Sequence, residues 1–363
     1  MKKIALILPS NDAFAESAQE VNILINHHHE TLRKSGEVEI MFDHEVIDGQ
    51  IRIKNFLNPN EQNPQRIQQK ADEKAKYLRE AICREDIDII FCLGGGNFAT
   101  YQTLAAFFNL VREDGIEVPN KQKYILGFSD GSLACVAAHL TSKGRIIPVQ
   151  STNPGIVNRI ISLMQEDQQY VVTADLKSIY LSEELDRNEL LAGQSIAISV
   201  HSLHTMQKFS CDPKYSNICR DWQNIFDDKI AVIESSYDQG GGSELAFDDK
   251  LFKMIDEGLF DSAKAVCFGN IHHKNFEGTE KTVEDFFKEF TQRLGARKFI
   301  GRILTGVPFG HGHRNPEAIS WCQMKLATTI DGIKMESDLL SPAMAITEQN
   351  IETAQLALDS FQK

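Results

Sequence analysis

Tyr124-Ile125-Leu126-Gly127-Phe128-Ser129-Asp130-Gly131-Ser132-Leu133-Ala134-Cys135 is the stretch on which the reading of this chain turns. It opens as a short apolar run of strand character (124–128) and passes through two glycines set around a serine. From residue 133 to 140 it acquires the apolar spacing of a helix. A strand that turns at once into a helix through G-x-S-x-G is the context of a nucleophile elbow. Working outward, the same grammar recurs. Residues 87–92 form an apolar run that meets Gly94-Gly95-Gly96, and residues 101–111 then show helical spacing. Residues 3–8 are apolar, stop at Pro9 and Ser10, and lead into a helix-like segment toward His29. Residues 38–42 supply a second strand, and residues 65–84, after Pro64, hold neither Gly nor Pro and read as a helix. Strands alternating with helices at this spacing predict an α/β fold with a parallel sheet covered on both faces.

The 363 residues favour two domains over one. Residues 1–165 read as an N-terminal domain carrying the elbow, the less regular residues 166–190 as a connecting segment, and residues 191–363 as a C-terminal α/β domain. The last contains short apolar runs at 196–200, 230–233, 265–268 and 300–304, and a tail from about residue 348 reads as a surface helix. No internal repeat appears. A net charge of −13 with no Lys/Arg run argues against nucleic acid or an anionic membrane as partner. Seven scattered cysteines without CxxC spacing read as reduced thiols. The N-terminal apolar stretch is too short for a signal peptide, and no run approaches the roughly 18 apolar residues of a membrane span. The expected location is the cytoplasm.

The elbow places the Ser129 hydroxyl at a helix N-terminus, where free N–H groups and the dipole favour developing negative charge. A serine or aspartate before a helix is equally the pattern of an N-cap, so nucleophile and cap both stand as readings. The triple glycine lets backbone N–H groups approach a ligand, and with the N–H of Asp130 it could form an oxyanion hole; a plain tight turn is the simpler alternative. Neither G-x-G-x-x-G nor the Walker pattern is satisfied, so no nucleotide cofactor is implied. Among the eleven histidines, His311 follows Pro308-Phe309-Gly310 in a loop beyond a strand end, where catalytic groups gather. His313 competes locally, and His201, His204, His272 and His273 also follow strand-like runs. His27, His28 and His29 share an exposed helix without the spaced partners of a metal site, and no metal is expected. Glu234 closes the run 230–233 and is the candidate carboxylate to orient a histidine, with Asp238 and Asp130 as alternatives.

The segments IALILPS (4–10), the glycine loop, GFSD (127–130), Glu234 in VIES and PFGH (308–311) occur in the order found in the LD-carboxypeptidases. Residues 193–199 also look like that family's opening of its second domain. The chain resembles this family of serine peptidases, which also includes the microcin C immunity peptidases. The resemblance implies an N-terminal flavodoxin-like, or class I amidotransferase-like, domain, a C-terminal α/β domain and a homodimer. It implies a Ser129–His311–Glu234 triad, with Ser129 as nucleophile, His311 as base then acid, and Glu234 orienting His311. The oxyanion hole would use the N–H groups of Asp130 and of Gly95 or Gly96. The substrate would be a small peptide or peptide conjugate: either a murein tetrapeptide losing its terminal D-amino acid, or a peptidyl-nucleotide amide. The family often carries an arginine before its glycines. Here that position is Leu93, which leaves Arg159 and Arg314 as candidates to hold a substrate carboxylate. Two other readings share many of these features, an α/β-hydrolase-like esterase and a ligand-binding member that has lost turnover.

Overall fold

The computed structural model describes residues 2–9, 17–57, 61–93, 100–129, 131–151, 153–166, 171–181, 190–234, 247–269, 271, 282–310, 319–321, 323–329 and 332–338. The chain divides into two compact units. The first comprises Met1–Asp167 with His201–Gln223, and the second comprises Gln168–Val200 with Asn224–Lys363.

The first unit is built on β1 (Lys3–Ile7), β2 (Glu37–Met41), β5 (Ile89–Cys92), β6 (Lys123–Gly127) and β7 (Ile146–Gln150). These five strands pair in parallel in the order β7-β6-β5-β1-β2. Counted along the chain, that order is 2-1-3-4-5, the flavodoxin-like doubly wound arrangement. β5, β6 and β7 are buried at every position, as continuous apolar runs must be when helices cover both faces of a sheet. The helices are α1 (Ala18–Arg33), α2 (Pro64–Cys83), α3 (Thr100–Asp114), α4 (Gly131–Thr141) and α5 (Pro154–Glu166). Ser17 caps α1, and Asn63 caps α2 with Pro64 in its first turn, as helix starts favour.

Between β2 and α2 stands a hairpin of β3 (His44–Ile47) and β4 (Gln50–Ile53), turned by Asp48 and Gly49 at φ +51° and +74°. Both central residues lie in the left-handed region, as a type I′ turn requires. The free edge of β4 is closed by side chains of α1. Asn26 both donates to Ile51 O (2.8 Å) and accepts from Ile51 N (2.9 Å), and Asn22 accepts from Ile53 N (2.8 Å).

The second unit contains a closed barrel in the order β10-β11-β12-β8-β15-β14-β9. Its strands are β8 (Val171–Leu181), β9 (Leu191–Ser199), β10 (Ile230–Glu234), β11 (Ala265–Phe268), β12 (Arg302–Thr305), β14 (Gln323–Thr329) and β15 (Gly332–Asp338); β13 (Ile319–Ser320) is a two-residue strand. β9 to β12 run parallel, and β8, β14 and β15 close the barrel through antiparallel pairs. α7 (Phe247–Asp256) and α8 (Val283–Ala296) carry Phe252, Phe286 and Phe290 into a core shared with Phe260 and Phe268. Trp321 donates its indole N–H to Ala197 O at 2.9 Å. Between β9 and β10 the chain forms α6 (Val200–Cys211) and a 3-10 turn (Arg220–Trp222), which from His201 onward belong to the first unit.

The stretch read as a connecting segment, 166–190, contains β8, and α5 (Pro154–Glu166) runs up to its first residue. α5 follows Val157, Ile160 and Ile161 as a buried stripe. β8 carries Asp175, Lys177 and Ser178 between its apolar residues and is held by pairing with β12 and β15. Its pairing partners lie more than a hundred residues away, beyond the reach of an apolar-run criterion. His28 also departs from the exposed placement expected of the His27–His29 triplet. It is 8% exposed, packs its ring 5.5 Å from that of Phe91, and bonds Leu24 O through Nδ1 at 3.0 Å. The terminal helix expected from about residue 348 lies outside the described residues.

Candidate active site

Ser129 follows the last residue of β6 by two positions and precedes α4 by two. Its φ is +54°, the left-handed region that a non-glycine residue enters at a cost of about 1–2 kcal/mol. An N-cap residue ordinarily holds an extended φ/ψ, so Ser129 does not adopt the conformation of a cap. The turn is tied by Gly131 N–H to Phe128 O (2.9 Å) and by Ser132 N–H to Ser129 O (3.0 Å). Gly127 explains one invariant of the motif. A Cβ there would stand 2.7 Å from Gly131 O and 2.8 Å from Cys135 Sγ, so only glycine lets α4 start this close to β6. Cys135 and Cys92 are both buried beneath this turn. The Cys135 thiol is pushed well up by burial and by its hydrogen bond with Cys92, which makes it an inert core group.

Two hydroxyls that the sequence reading did not single out converge on the same turn. Ser132 Oγ donates to Ser129 O at 2.5 Å, Ser202 Oγ donates to Ser129 O at 3.3 Å, and the two hydroxyls lie 2.7 Å apart. Ser202 comes from α6, 73 residues from Ser129. No local sequence signal joins the two; only the return of 201–223 to the first unit does.

In the second unit, Glu234 ends β10 and is fully buried. It pairs in register with Ser199 of β9. Gly310, at φ +113°, lies directly against it. A Cβ on Gly310 would stand 2.7 Å from Glu234 Cβ and 3.0 Å from Oε2. The carboxylate therefore abuts the residue that immediately precedes His311. His311 itself, with Asp130, Gly95, Gly96, Arg314, Asp238, His272, His273 and His313, lies outside the described residues. Arg159 is on α5 with an exposed side chain. Leu93 is 2% exposed and donates its N–H to Ile7 O at 2.8 Å, continuing the pairing with β1 just past β5. His139 bonds Ile146 O through Nδ1 at 2.8 Å, and His204 is buried on α6. Among the described residues no group of three or more His, Cys, Asp or Glu side chains is placed to hold a metal ion. No helix among them is long and apolar enough to cross a membrane.

Chemically, a serine held in the left-handed region at a strand–helix turn can serve as a nucleophile, and a buried carboxylate can orient a histidine. Comparison with known proteins is consistent with this division. The family model for the LD-carboxypeptidase N-terminal domain matches residues 4–146, and that for the LD-carboxypeptidase C-terminal domain matches residues 208–324. No curated protein sequence matches. Among solved structures, the chain is similar to a muramoyltetrapeptide carboxypeptidase from Oxalobacter formigenes, with 16% identity, TM-score 0.56, and coverage of 94% of this chain and 100% of that one. It is also similar to an MccF-like protein from Streptococcus pneumoniae in complex with AMP, with 15% identity, TM-score 0.59, and coverage of 93% and 98%. The microcin C7 self immunity protein MccF in complex with aspartyl sulfamoyl adenosine gives 15%, 0.56, 94% and 97%. At these identities the structures speak to the fold, and the two domain matches carry the assignment: the chain belongs to the LD-carboxypeptidase family of peptidases.

Proposed function

We propose that the protein is a serine carboxypeptidase that hydrolyses an L,D-peptide bond in a murein tetrapeptide-like substrate. The observation that carries the reading is Ser129 at φ +54° between a buried strand and α4, supported by Glu234 buried against the residue before His311.

In this mechanism Ser129 Oγ attacks the scissile carbonyl carbon while His311 accepts the hydroxyl proton. Glu234 fixes the imidazole tautomer and stabilises its charged form. The oxyanion of the tetrahedral intermediate is bound by the N–H of Asp130 and of Gly95 or Gly96. On collapse the C–N bond breaks and His311 returns the proton to the departing D-amino acid. Water then releases the acyl group by the same acid–base cycle. Arg159 and Arg314 are the candidates for the substrate carboxylate, a role Leu93 cannot fill. The working unit would be a homodimer in the cytoplasm, acting on a small peptide without a metal or cofactor.

The test is D-alanine release from L-Ala-γ-D-Glu-meso-diaminopimelate-D-Ala by the wild type and by Ser129→Ala. Release by the wild type alone supports the reading. Absence of release, with cleavage of a peptidyl-nucleotide amide that depends on Ser129, would move the chain to the immunity-peptidase branch. Absence of both would favour a binding role.

A further inference from the structure

We infer that Ser132 and Ser202 are positioning residues that lock the peptide unit between Ser129 and residue 130, and so aim the anion-binding N–H of the elbow. The inference rests on the proposed nucleophilic role of Ser129 and deepens it. The peptide group is planar and trans, so its C=O and N–H point in opposite directions. Whatever holds the carbonyl oxygen of Ser129 therefore sets the direction of the next N–H, the donor assigned to the oxyanion.

That carbonyl is held by an unusual concentration of donors. An ordinary turn would supply the Ser132 N–H alone, at 3.0 Å. Here the Ser132 hydroxyl at 2.5 Å and the Ser202 hydroxyl at 3.3 Å are added. Each hydroxyl has one proton. Ser132 gives its proton to Ser129 O, and Ser202 shares its own between Ser129 O and Ser132 Oγ, 2.7 Å away. Ser132 is 1% exposed and Ser202 is fully buried, so bulk water does not replace either bond, and in such surroundings each counts for more than at the surface. The alternative they oppose is specific. A residue in the left-handed region can relax by rotating the peptide that follows it, and that rotation would turn the N–H away from a developing oxyanion. The hydroxyls thus hold a strained turn in the one orientation useful to it, with one clamp from α4 itself and the other from α6.

The test is the rate at which a fluorophosphonate probe labels the wild type, Ser132→Ala, Ser202→Ala, Ser202→Cys and the double alanine variant. In that reaction the Ser129 Oγ–P bond forms, the P–F bond breaks, fluoride departs, the serine proton passes to the base, and the phosphoryl oxygen takes the place of the oxyanion. Loss of a direct oxyanion donor typically costs about 10²–10³-fold, and loss of its support should cost less: about 10-fold for Ser132→Ala and about 3-fold for Ser202→Ala. The thiol of Ser202→Cys, a weaker donor, should fall between alanine and wild type. The double variant should lose less than the product of the two, because the hydroxyls bond each other. With the tetrapeptide, kcat should fall while KM stays within about 2-fold, since the interaction is made in the transition state. Thermal melts alongside identify any variant that has lost its fold; the other single variant then carries the comparison. Wild-type rates in both alanine variants, or a loss confined to KM, would overturn the positioning role and leave Ser129 as nucleophile. If the wild type is not labelled at Ser129, the inference falls together with the reading beneath it.

Discussion

The two edges of the five-stranded sheet in the first unit are built on opposite plans. At the edge where the strands end, hydrogen bonds from Gly131, Ser132 and Ser202 tie down the turn around Ser129, whose backbone is strained. At the edge where the strands begin, charges are matched. Lys3 lies 2.8 Å from both Glu39 and Asp86, Arg84 bridges Glu39 and Asp86, and Asp88 takes Lys2 at 3.3 Å and Lys121 at 2.9 Å. Arg84 and Lys3 hold the Asp86 carboxyl far below the usual range, and Arg84 also lowers that of Glu39. Behind this network the fully buried Lys123 donates to Ile82 O at 2.8 Å and to Arg84 O at 2.5 Å, closing the C-terminus of α2. One edge holds a strained backbone; the other gathers favourable ion pairs.

If that contrast is sound, changes at the two edges should separate activity from stability. The largest effect belongs to Ser129→Ala, which should lower turnover by at least about 10³-fold; a loss of only a few-fold would end the catalytic assignment. Its companion Ser129→Gly should be equally inactive yet melt higher than the wild type, because glycine relieves a left-handed strain of about 1 kcal/mol. Gly127→Ala should destabilise the first unit by about 2–3 kcal/mol in denaturant unfolding, through the clash with Gly131 and Cys135, and should slow labelling of Ser129 as well.

At the other edge, Lys123→Met sharpens the comparison through pH. Burial pushes the Lys123 pKa down to about 8 from 10.5. Below pH 8 the fold bears the full cost of a buried ammonium. Between 8 and 10.5 the unfolded chain still binds the proton that the folded one has released, so that cost is relieved. The stability difference, wild type minus Lys123→Met, should therefore rise as pH goes from about 8 to 10; parallel curves would contradict the shift. The smallest effect is expected of Arg84→Ala. The lowered carboxyls of Asp86 and Glu39 stabilise the fold above the ordinary carboxylate range, and that contribution is lost as pH falls through their folded values. Both are partly exposed, so the variant should unfold at slightly higher pH in acid, less so in salt, with labelling of Ser129 unchanged.

What the sequence disclosed follows the range of the forces involved. β1, β2, β5, β6 and the helices α2 to α4 were legible because each is a local event, either an apolar run or a helical stripe. The elbow was legible because a sharp strand–helix turn demands small residues at fixed spacing, and Gly127 meets that demand. The barrel strands β8, β14 and β15 were not, since their apolar residues alternate with polar or charged ones; β14 and β15 pair with each other, but the pairings with β8 and β9 that close the barrel span more than a hundred residues. The same holds for Ser132 and Ser202. An N-terminal serine of a helix and a serine within His201–His204 look unremarkable until α6 brings the second to the first. The β3–β4 hairpin hid behind short strands of mixed polarity, although its Asp48-Gly49 turn was a readable signal.

The return of 201–223 to the first unit also bears on how the chain is made. On α6, Phe209 stacks on Tyr101 with ring centroids 4.7 Å apart, and the Tyr215 hydroxyl, farther along the same return, reaches Asn109 at 3.3 Å. A nascent chain that has emerged only to residue 167 therefore lacks part of the packing of its first unit. Along the sequence, β8 and β9, strands of the other unit, separate those residues from their cover. Completion of the first core must wait for synthesis of part of the second, so the two units cannot be finished strictly in turn. A ribosome-stalled chain ending near residue 167 should accordingly be more protease-sensitive than one ending beyond residue 223.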